Sequence, residues 1–388
     1  MKTSRICCLG LLLLIASFAT AQIPCGPTIN PLATLFVNWP QFRFDPQHTG
    51  CNPYESILST ATVGGLVLDW TYPAGSSVYG DPVVANGVVY FTSISPDRTL
   101  YAVNAVTGSL VWKYVAGPDG ISAPVVVGGV VYVGSVDNHV FAFKATTGEL
   151  LWQYATAGVV ESAPAIADGV LYVGDGHGYL YALNANTGTL LWSYRVPENE
   201  IVASPAIANG VVYFGASQPI FPQTGTLFAL DVTTHQVAWQ YTWPYAIGAT
   251  PVVANSKVFF NSTAFNAVTG AMLWDAPVYF ASIPAITNGV VYVGSDDNDV
   301  YALNASTGSV LWSYRTGDFV YSAPAVANGV VYVESDDGNF YALNAATGVP
   351  LWQYTVSNYA ASGPAVANGL VYIGSQDATL YTFHLPGH

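Results

Sequence analysis

The chain has 388 residues, of which 52% are hydrophobic, 14% aromatic and only 8% charged. Globular proteins ordinarily carry about 25% charged residues. The composition excludes a disordered chain, which needs high charge and low hydrophobicity, and a coiled coil, which needs abundant Glu, Lys and Leu. The 9 basic residues are outnumbered by 23 acidic ones, for a net charge of −14. Because a phosphate backbone would be repelled, we expect no nucleic-acid partner.

The first segment predicts a secretory signal peptide over residues 1–21. Lys2 and Arg5 precede an apolar run that is short for a bilayer span, and Ala19-Thr20-Ala21 fits the small-x-small cleavage pattern. No later run reaches the ~18 apolar residues of a membrane helix. We therefore expect an exported protein, periplasmic or extracellular, with no membrane span.

An N-terminal arm over residues 22–65 follows. Cys25 and Cys51 are the two of the four cysteines that survive cleavage. An even number in an oxidising compartment favours a disulfide between them, with two free thiols as the alternative. In the chain-entropy view such a bond contributes about 3 kcal/mol. The segment from Trp39 to Gly50 predicts a plug or strap that packs across the domain that follows it.

Residues 66–388 are built from a recurring unit, of which Ser162 to Tyr194 is one copy. A tryptophan marks one end of eight successive units, at Trp70, Trp112, Trp152, Trp192, Trp239, Trp274, Trp312 and Trp352. A proline marks the other end, at Pro82, Pro124, Pro164, Pro205, Pro251, Pro284, Pro324 and Pro364. Self-similarity at roughly 40 residues is typical of propeller blades.

Each unit contains four short β-type runs. Asn-Gly or a relative, such as Asn288-Gly289, joins the first two and is a tight type I′ hairpin signal. Four strands per unit, eight times over, predict an all-β fold: an eight-bladed β-propeller of four-stranded antiparallel blades. The last unit has only three strands. We therefore expect the N-terminal strand around Trp70 to join the C-terminal blade and close the ring.

The unit also carries a family resemblance. Ala182, Gly188 and Trp192 have the spacing of the tryptophan-docking motif of pyrroloquinoline quinone (PQQ)-type propeller repeats, in which these three residue types lock neighbouring blades. His235 replaces the glycine in one unit. The arm looks like the leader of such propellers in exported bacterial proteins and resembles the start of BamB-like proteins. The resemblance implies blade-docking roles for Trp112, Trp152, Trp192, Trp239, Trp274, Trp312 and Trp352.

The resemblance extends to PQQ-dependent dehydrogenases, whose quinone is stacked on a vicinal cysteine pair and held by calcium. The one vicinal pair of this chain, Cys7-Cys8, leaves with the signal peptide. The six histidines share no ligand spacing. Acidic runs at 296–299 and 336–339 look calcium-like, but Asp, Asn and Gly are also expected in tight turns. We predict no catalytic residue, no cofactor and no metal site.

In a four-stranded blade, the turns between second and third strands share a face with the connections to the next blade. Fifteen of the 23 acids fall in or beside those segments: Asp97, Asp119, Asp137, Glu161, Asp175, Glu198, Glu200, Asp296, Asp297, Asp299, Asp318, Glu334, Asp336, Asp337 and Asp377. We therefore expect one strongly acidic face and one near-neutral face.

Departures from the repeat predict a partner or ligand surface on the acidic face. At the channel mouth the varying residues are Tyr79, Asp81, Glu161, Asp318 and Tyr321. An insertion from Ser217 to Gln223 adds Ile220 and Phe221 as a projecting knob, and the next unit is shortened between Phe260 and Ala264.

The function predicted from these patterns is a non-catalytic, monomeric, exported scaffold that binds another envelope or extracellular protein or a small ligand. A PQQ-dependent alcohol or sugar oxidoreductase and a polysaccharide-binding or -cleaving propeller are the alternatives.

Overall fold

Eight four-stranded antiparallel sheets follow one another along the chain in the computed structural model. The structure describes residues 38–117, 120–196, 200–201, 203–218, 223–245, 249–280, 282–356, 359 and 362–387. A 3-10 turn, Val63–Gly65, lies outside the sheets. A short strand, Cys51–Asn52, pairs parallel with the first strand of blade 7 and adds a fifth strand to that sheet. The prediction of an all-β, eight-bladed propeller of four-stranded antiparallel blades is confirmed. Within the described ranges, no helix is long and apolar enough to cross a membrane.

The blades are numbered 1 to 8 from the one that begins at Val83, and the strands of each blade run outward from the channel. The first, innermost strands are Val83–Ala85, Val125–Val127, Ala165–Ala167, Ala206–Ala208, Val252–Ala254, Ala285–Thr287, Ala325–Ala327 and Ala365–Ala367. The second strands are Val88–Thr92, Val130–Ser135, Val170–Gly174, Val211–Ser217, Lys257–Phe260, Val290–Gly294, Val330–Glu334 and Leu370–Gly374.

The third and fourth strands form the outer half of each blade. The third strands are Thr99–Asn104, His139–Lys144, Tyr179–Asn184, Gly225–Asp231, Thr263–Asn266, Asp299–Asn304, Asn339–Asn344 and Thr379–His384. The fourth strands are Leu110–Val115, Leu150–Ala155, Leu190–Arg195, Val237–Trp243, Met272–Asp275, Val310–Arg315, Pro350–Thr355 and, for blade 8, Val67–Pro73.

The ring closes through the strand nearest the N-terminus. Val67–Pro73 pairs antiparallel with Thr379–His384, with Trp70 opposite Thr382. The fourth strand of blade 8 therefore comes from the start of the domain, as predicted. This pairing covers an edge that would otherwise be open to another chain.

The two faces of the ring differ in the segments that build them. We call the face made by second-to-third-strand turns and by the connections between blades the connection face. The opposite face, made by first-to-second and third-to-fourth turns, is the hairpin face. Its first-to-second turns place Asn86 at φ 52 and Gly87 at φ 77, the left-handed conformation that a type I′ turn requires.

Neighbouring blades are joined by two side chains that share one acceptor. Tyr90 in the second strand and Trp112 in the fourth strand of blade 1 both donate to the carbonyl oxygen of Ala145 in blade 2, at 3.0 and 2.7 Å. Ala185, Ala267 and Ala345 accept the same pair of donors at three further interfaces. At blade 8, the carbonyl of Leu66 accepts from Trp352. The buried core lies between blades, where these contacts fix the angle from one blade to the next.

The tryptophan indole of one blade packs on a glycine that precedes the fourth strand of the next blade. A Cβ on Gly188 would lie 2.6 Å from the ring of Trp152, and Gly188 has φ +70. In blade 4 the equivalent residue is His235, and its ring lies 4.8 Å from Trp192 at 34°. A side chain is tolerated there because it stacks beside the indole.

Gly188→Ala tests this packing against a matched glycine. Gly169 has φ +77, and a Cβ there would meet nothing within 4 Å. Both alanine variants carry the strain of a positive φ, but only Gly188→Ala should also lose about 1–3 kcal/mol to overpacking against Trp152. Denaturant unfolding measures the difference. Equal losses in the two variants would mean that the indole yields without cost.

Candidate functional site

The central channel presents eight unpaired strand edges. Each innermost strand pairs with the second strand over three residues, and the middle one, such as Val84 opposite Val89, occupies the non-hydrogen-bonded position of the antiparallel ladder. The N–H and C=O of the middle residue consequently point towards the channel. Buried backbone groups of this kind need partners.

The arm supplies those partners in blade order. Its backbone carbonyls accept from the middle residues of blades 1, 2, 4, 5, 6 and 7: Trp39 from Val84, Pro40 from Val126, Pro46 from Ile207, Gln47 from Val253, Thr49 from Ile286 and Gly50 from Val326, at 2.7–2.9 Å. Side-chain amides serve the other two blades. Gln41 Oε1 accepts from the N–H of Ile166 at 3.4 Å, and Asn52 Nδ2 donates to the carbonyl of Val366 at 2.7 Å. The segment predicted as a plug, Trp39 to Gly50, thus bonds to seven blades, and Asn52 just beyond it bonds to the eighth.

Arg43 is the buried charge of this plug. Its guanidinium donates to the carbonyl oxygens of Ala323, at 3.2 Å, and Pro324. Burial lowers the pKa of Arg43 to about 10, against the opposing effect of Asp81 and Asp45. Asp81 accepts the N–H of Gly363 at 2.6 Å. Burial raises the pKa of Asp81, and the charge of Arg43 opposes that rise.

Burial shifts the pKa values of two further plug residues, His48 and Asp45, in opposite directions. His48 Nδ1 lies 3.2 Å from the carbonyl oxygen of Pro251, which only accepts, so Nδ1 carries the proton. Burial lowers the pKa of His48 to about 3. Burial raises the pKa of Asp45 to about 6, although its carboxylate accepts the N–H and hydroxyl of Thr49 at 2.9 and 2.5 Å.

Several of the acids predicted for the connection face bond to tyrosine side chains of their own blades. In five blades the aspartate of the second-to-third turn accepts a tyrosine hydroxyl from the third strand: Asp97 from Tyr101, Asp175 from Tyr181, Asp297 from Tyr301, Asp337 from Tyr341 and Asp377 from Tyr381, at 2.6–3.0 Å. Asp175 and Glu334 are fully buried. The sequence carried a signal for four of these pairs, an Asp-x-x-x-Tyr spacing, which the sequence analysis missed.

The aromatic residues of the connection face form an arc. Six aromatic side chains among the described residues are exposed, and all lie in the connections between blades: Tyr79 (57%), Tyr245 (52%), Tyr279 (65%), Phe319 (41%), Tyr321 (50%) and Tyr359 (54%). They occupy the five consecutive connections from blade 4 round to blade 1. We call this set the tyrosine arc.

The middle of the arc is surrounded by carboxylates. Phe319 and Tyr321 lie 5.6 Å apart between ring centroids. Desolvation raises the pKa of Tyr321, and the charges of Asp296, Asp336 and Asp318 add to that rise. Because Coulomb interactions weaken with distance, the effect of all three acids on Tyr321 indicates that they lie near it.

The residues predicted as a binding surface fall into three groups. Tyr79, Asp318 and Tyr321 lie on or beside the tyrosine arc, whereas Glu161 is exposed on the connection from blade 2 to blade 3, outside it. Asp81 is half-buried and lies near Arg43, so its part in a binding surface stays a prediction. Ile220 and Phe221 are outside the described residues, although the strands that flank them are lengthened to seven residues each, Val211–Ser217 and Gly225–Asp231.

Two further sequence predictions concern the disulfide of the arm and the shortened blade 5. Cys51 is disulfide-bonded. Cys25 lies outside the described residues, so its pairing with Cys51 stays a prediction. Blade 5 has the expected shortening, with four-residue strands Lys257–Phe260 and Thr263–Asn266.

The ring of eight four-stranded blades, docked through tryptophan on a shared alanine carbonyl, defines a PQQ-type propeller. A family profile described as outer membrane protein assembly factor BamB (PQQ_2) matches residues 68–163, 155–263 and 261–385, and the chain belongs to this family. A search of curated protein sequences returned no significant match.

Solved structures share the fold at low identity. A europium-containing methanol dehydrogenase superposes with a TM-score of 0.74 at 15% identity, covering 90% of this chain and 98% of the other. BamB from Moraxella catarrhalis gives 0.63 at 21%, covering 83% and 98%. The computationally designed Ika8 protein gives 0.71 at 18%, covering 82% and 99%. Structures named BamB and structures named dehydrogenase thus share one fold. The residues of the site have to distinguish between the two kinds of function.

The described residues do not fit a calcium-held quinone. Among them, no group of three or more His, Cys, Asp or Glu side chains could hold a metal ion. Asp297 and Asp337, in the two calcium-like turns, each accept a tyrosine hydroxyl, at 2.8 and 2.7 Å. The channel axis is crossed by the arm, whose Arg43 already donates to backbone carbonyls.

Because the plug buries His48, we expect the protein to lose stability as the pH falls. His48→Gln should make this loss smaller. Between about pH 6.5 and 3, His48 binds a proton in the unfolded chain but stays neutral in the folded one. The free energy of unfolding therefore decreases as the pH is lowered, by up to about 1.4 kcal/mol per pH unit. Asp45 acts in the opposite direction between about pH 6 and 4, because its folded form holds the proton more tightly than its unfolded form.

Removing His48 should therefore make the variant gain stability relative to wild type as the pH falls from 6.5 to 4. Denaturant unfolding at several pH values measures this. The matched control, His177→Gln, removes an exposed imidazole and should follow the wild-type profile. Parallel profiles for His48→Gln and wild type would contradict a neutral, buried His48.

Proposed function

We propose that the protein is a non-catalytic, exported binding scaffold whose tyrosine arc takes a basic, extended segment of another envelope or extracellular protein. The observation that carries this proposal is the confinement of all six exposed aromatic side chains of the described residues to five consecutive connections of one face. A chance distribution of packing residues would place exposed rings on both faces.

The chemistry of the arc favours a protein partner. Tyrosine offers a large, rigid contact area at low entropic cost and is enriched in binding hot spots. An exposed aromatic patch with a polar rim is a common mark of an interaction site. The plugged channel leaves the partner the rim of the ring, where the arc lies.

The charge of the arc favours a basic partner. The charges of Asp296, Asp318 and Asp336 all raise the pKa of Tyr321, so the acids lie near it. Lysine and arginine side chains can pair with these carboxylates and lie over the tyrosine faces. The net charge of −14 adds long-range attraction for such a segment.

Export is supported by independent features. The predicted signal peptide over residues 1–21 and the disulfide at Cys51 are both typical of an oxidising compartment outside the cytoplasm. The family description, an outer membrane protein assembly factor, favours an envelope setting. Assembly or presentation of an envelope protein is the role that agrees with these features.

Tyr279→Ser with Tyr321→Ser should abolish partner capture. Both side chains are at least half exposed, so the fold should be kept while the arc loses its centre. The matched control is Val106→Ser with Val268→Ser, two side chains 69% and 79% exposed on the hairpin face. The measurement is affinity capture from the native envelope or medium, quantified by mass spectrometry. We expect at least a tenfold loss for the tyrosine pair and no loss for the valine pair.

The carboxylates provide a separate readout. Asp296→Asn with Asp318→Asn should weaken capture at low salt and have less effect at high salt, because screening already weakens the ionic contribution. Glu149→Gln, an exposed acid on the hairpin face, is the control. Undiminished capture by the tyrosine variant would overturn the arc as the binding surface. Dye-linked alcohol or sugar oxidation with added PQQ and calcium would overturn the non-catalytic assignment.

A further inference from the structure

A cavity of about 730 Å³ opens on the hairpin face, opposite the tyrosine arc. Its wall contains the first-to-second turns of blades 4, 5 and 6, and its floor is the arm that plugs the channel. The volume is within the range typical of small-molecule sites. It is separate from the surface assigned to the protein partner.

Three polar residues that depart from the repeat line this cavity. At the start of the second strand, seven blades have Val or Leu and blade 5 has Lys257. At the second turn residue, seven blades have Gly and blade 5 has Ser256. At the end of the first strand, seven blades have Ala or Val and blade 6 has Thr287. All three replacements line the cavity.

Two of these residues have polar groups that the ring does not use. The hydroxyl of Thr287 is buried and has no hydrogen-bond partner, and the residue as a whole is 7% exposed. Lys257 is half-buried, and none of the described carboxylates lies within ion-pairing distance of its ammonium group. A buried hydroxyl without a partner costs free energy, so its place in a cavity wall favours a ligand that satisfies it.

The arm contributes the remaining chemistry of the cavity. Phe44 and Tyr54 form a tilted ring pair, with centroids 6.5 Å apart, at its edge. Gln47 adds a side-chain amide. Asp45 also lines the cavity, but both of its carboxylate oxygens accept from Thr49. Lys257 is therefore the charge available to a ligand.

We propose that this cavity binds a sugar acid, a polyhydroxylated ring that carries one carboxylate. Lys257 pairs with the carboxylate, Thr287, Ser256 and Gln47 bond to the hydroxyls, and the rings of Phe44 and Tyr54 pack against the C–H face of the sugar. Ring faces and amide or hydroxyl groups suit neutral sugars as well. The ammonium group of Lys257, in place of the aliphatic side chain of the other blades, favours sugars that carry a carboxylate.

The test is binding of D-galacturonate and D-glucuronate to the full chain at pH 7, with D-galactose and D-glucose as neutral counterparts, measured by calorimetry or ligand-observed NMR. Lys257→Val and Thr287→Ala restore the residue of other blades, so both variants should fold, which thermal unfolding checks. We expect the uronates to bind at least tenfold more tightly than the neutral sugars. Lys257→Val should remove this preference, and Thr287→Ala should weaken both sugar classes.

Lys144→Met is the matched control, because it removes one exposed cation from the hairpin face away from the cavity. It should leave uronate binding unchanged. The proposal is overturned if the wild-type chain binds no uronate at millimolar concentration, or if Lys257→Val binds uronate as wild type does. Equal loss in Lys144→Met and Lys257→Val would assign the effect to net charge and also overturn it. None of these outcomes depends on capture of a protein by the tyrosine arc.

Discussion

The ring depends on backbone carbonyl oxygens at the blade boundaries, four of which belong to alanines that accept two side-chain donors each. A tyrosine hydroxyl and an indole N–H from one blade converge on a single oxygen of the next, as Tyr90 and Trp112 do on Ala145. Each bond is a modest contribution by itself. Because the two donors come from different strands, together they fix both the distance and the tilt between blades. At the boundary between blades 7 and 8, Trp352 donates to Leu66 instead of an alanine, which docks the closing strand of blade 8.

Closure of the ring creates a second requirement at its axis. Eight innermost strands present backbone groups to a channel, and buried backbone groups without partners are costly. The arm meets this requirement with a segment of only fourteen residues, Trp39 to Asn52, that visits the blades in order. In doing so it buries Arg43 and His48, whose charged forms are disfavoured by desolvation. The plug thus satisfies the backbone groups of the channel, and its buried His48 makes the stability of the protein sensitive to acid. It also separates the two mouths of the channel.

The two mouths offer different chemistry. On the connection face, aspartates bond to tyrosine hydroxyls within the ring, while a second set of tyrosines is exposed in the arc. On the hairpin face, the cavity has amides, hydroxyls and one ammonium group at places where the other blades are apolar. A ring can take a macromolecule on one face and a small molecule on the other because neither site needs the β-strands to change. Each depends on turns and connections, which tolerate substitution better than the docked strands do.

The sequence by itself determined the number of blades, the four-stranded plan, the closing strand and the plug, because each is a local pattern repeated or completed along the chain. Aligning the units also reveals Lys257, Ser256 and Thr287 as exceptions. Only the tertiary structure decided which exceptions matter together. The arm's Asn52 meets Val366 across 314 residues, Asp81 lies near Arg43, and five tyrosine-bearing connections form one arc. These relations depend on the closing of the ring, which brings residues far apart in the chain into contact and which no spacing within one unit encodes.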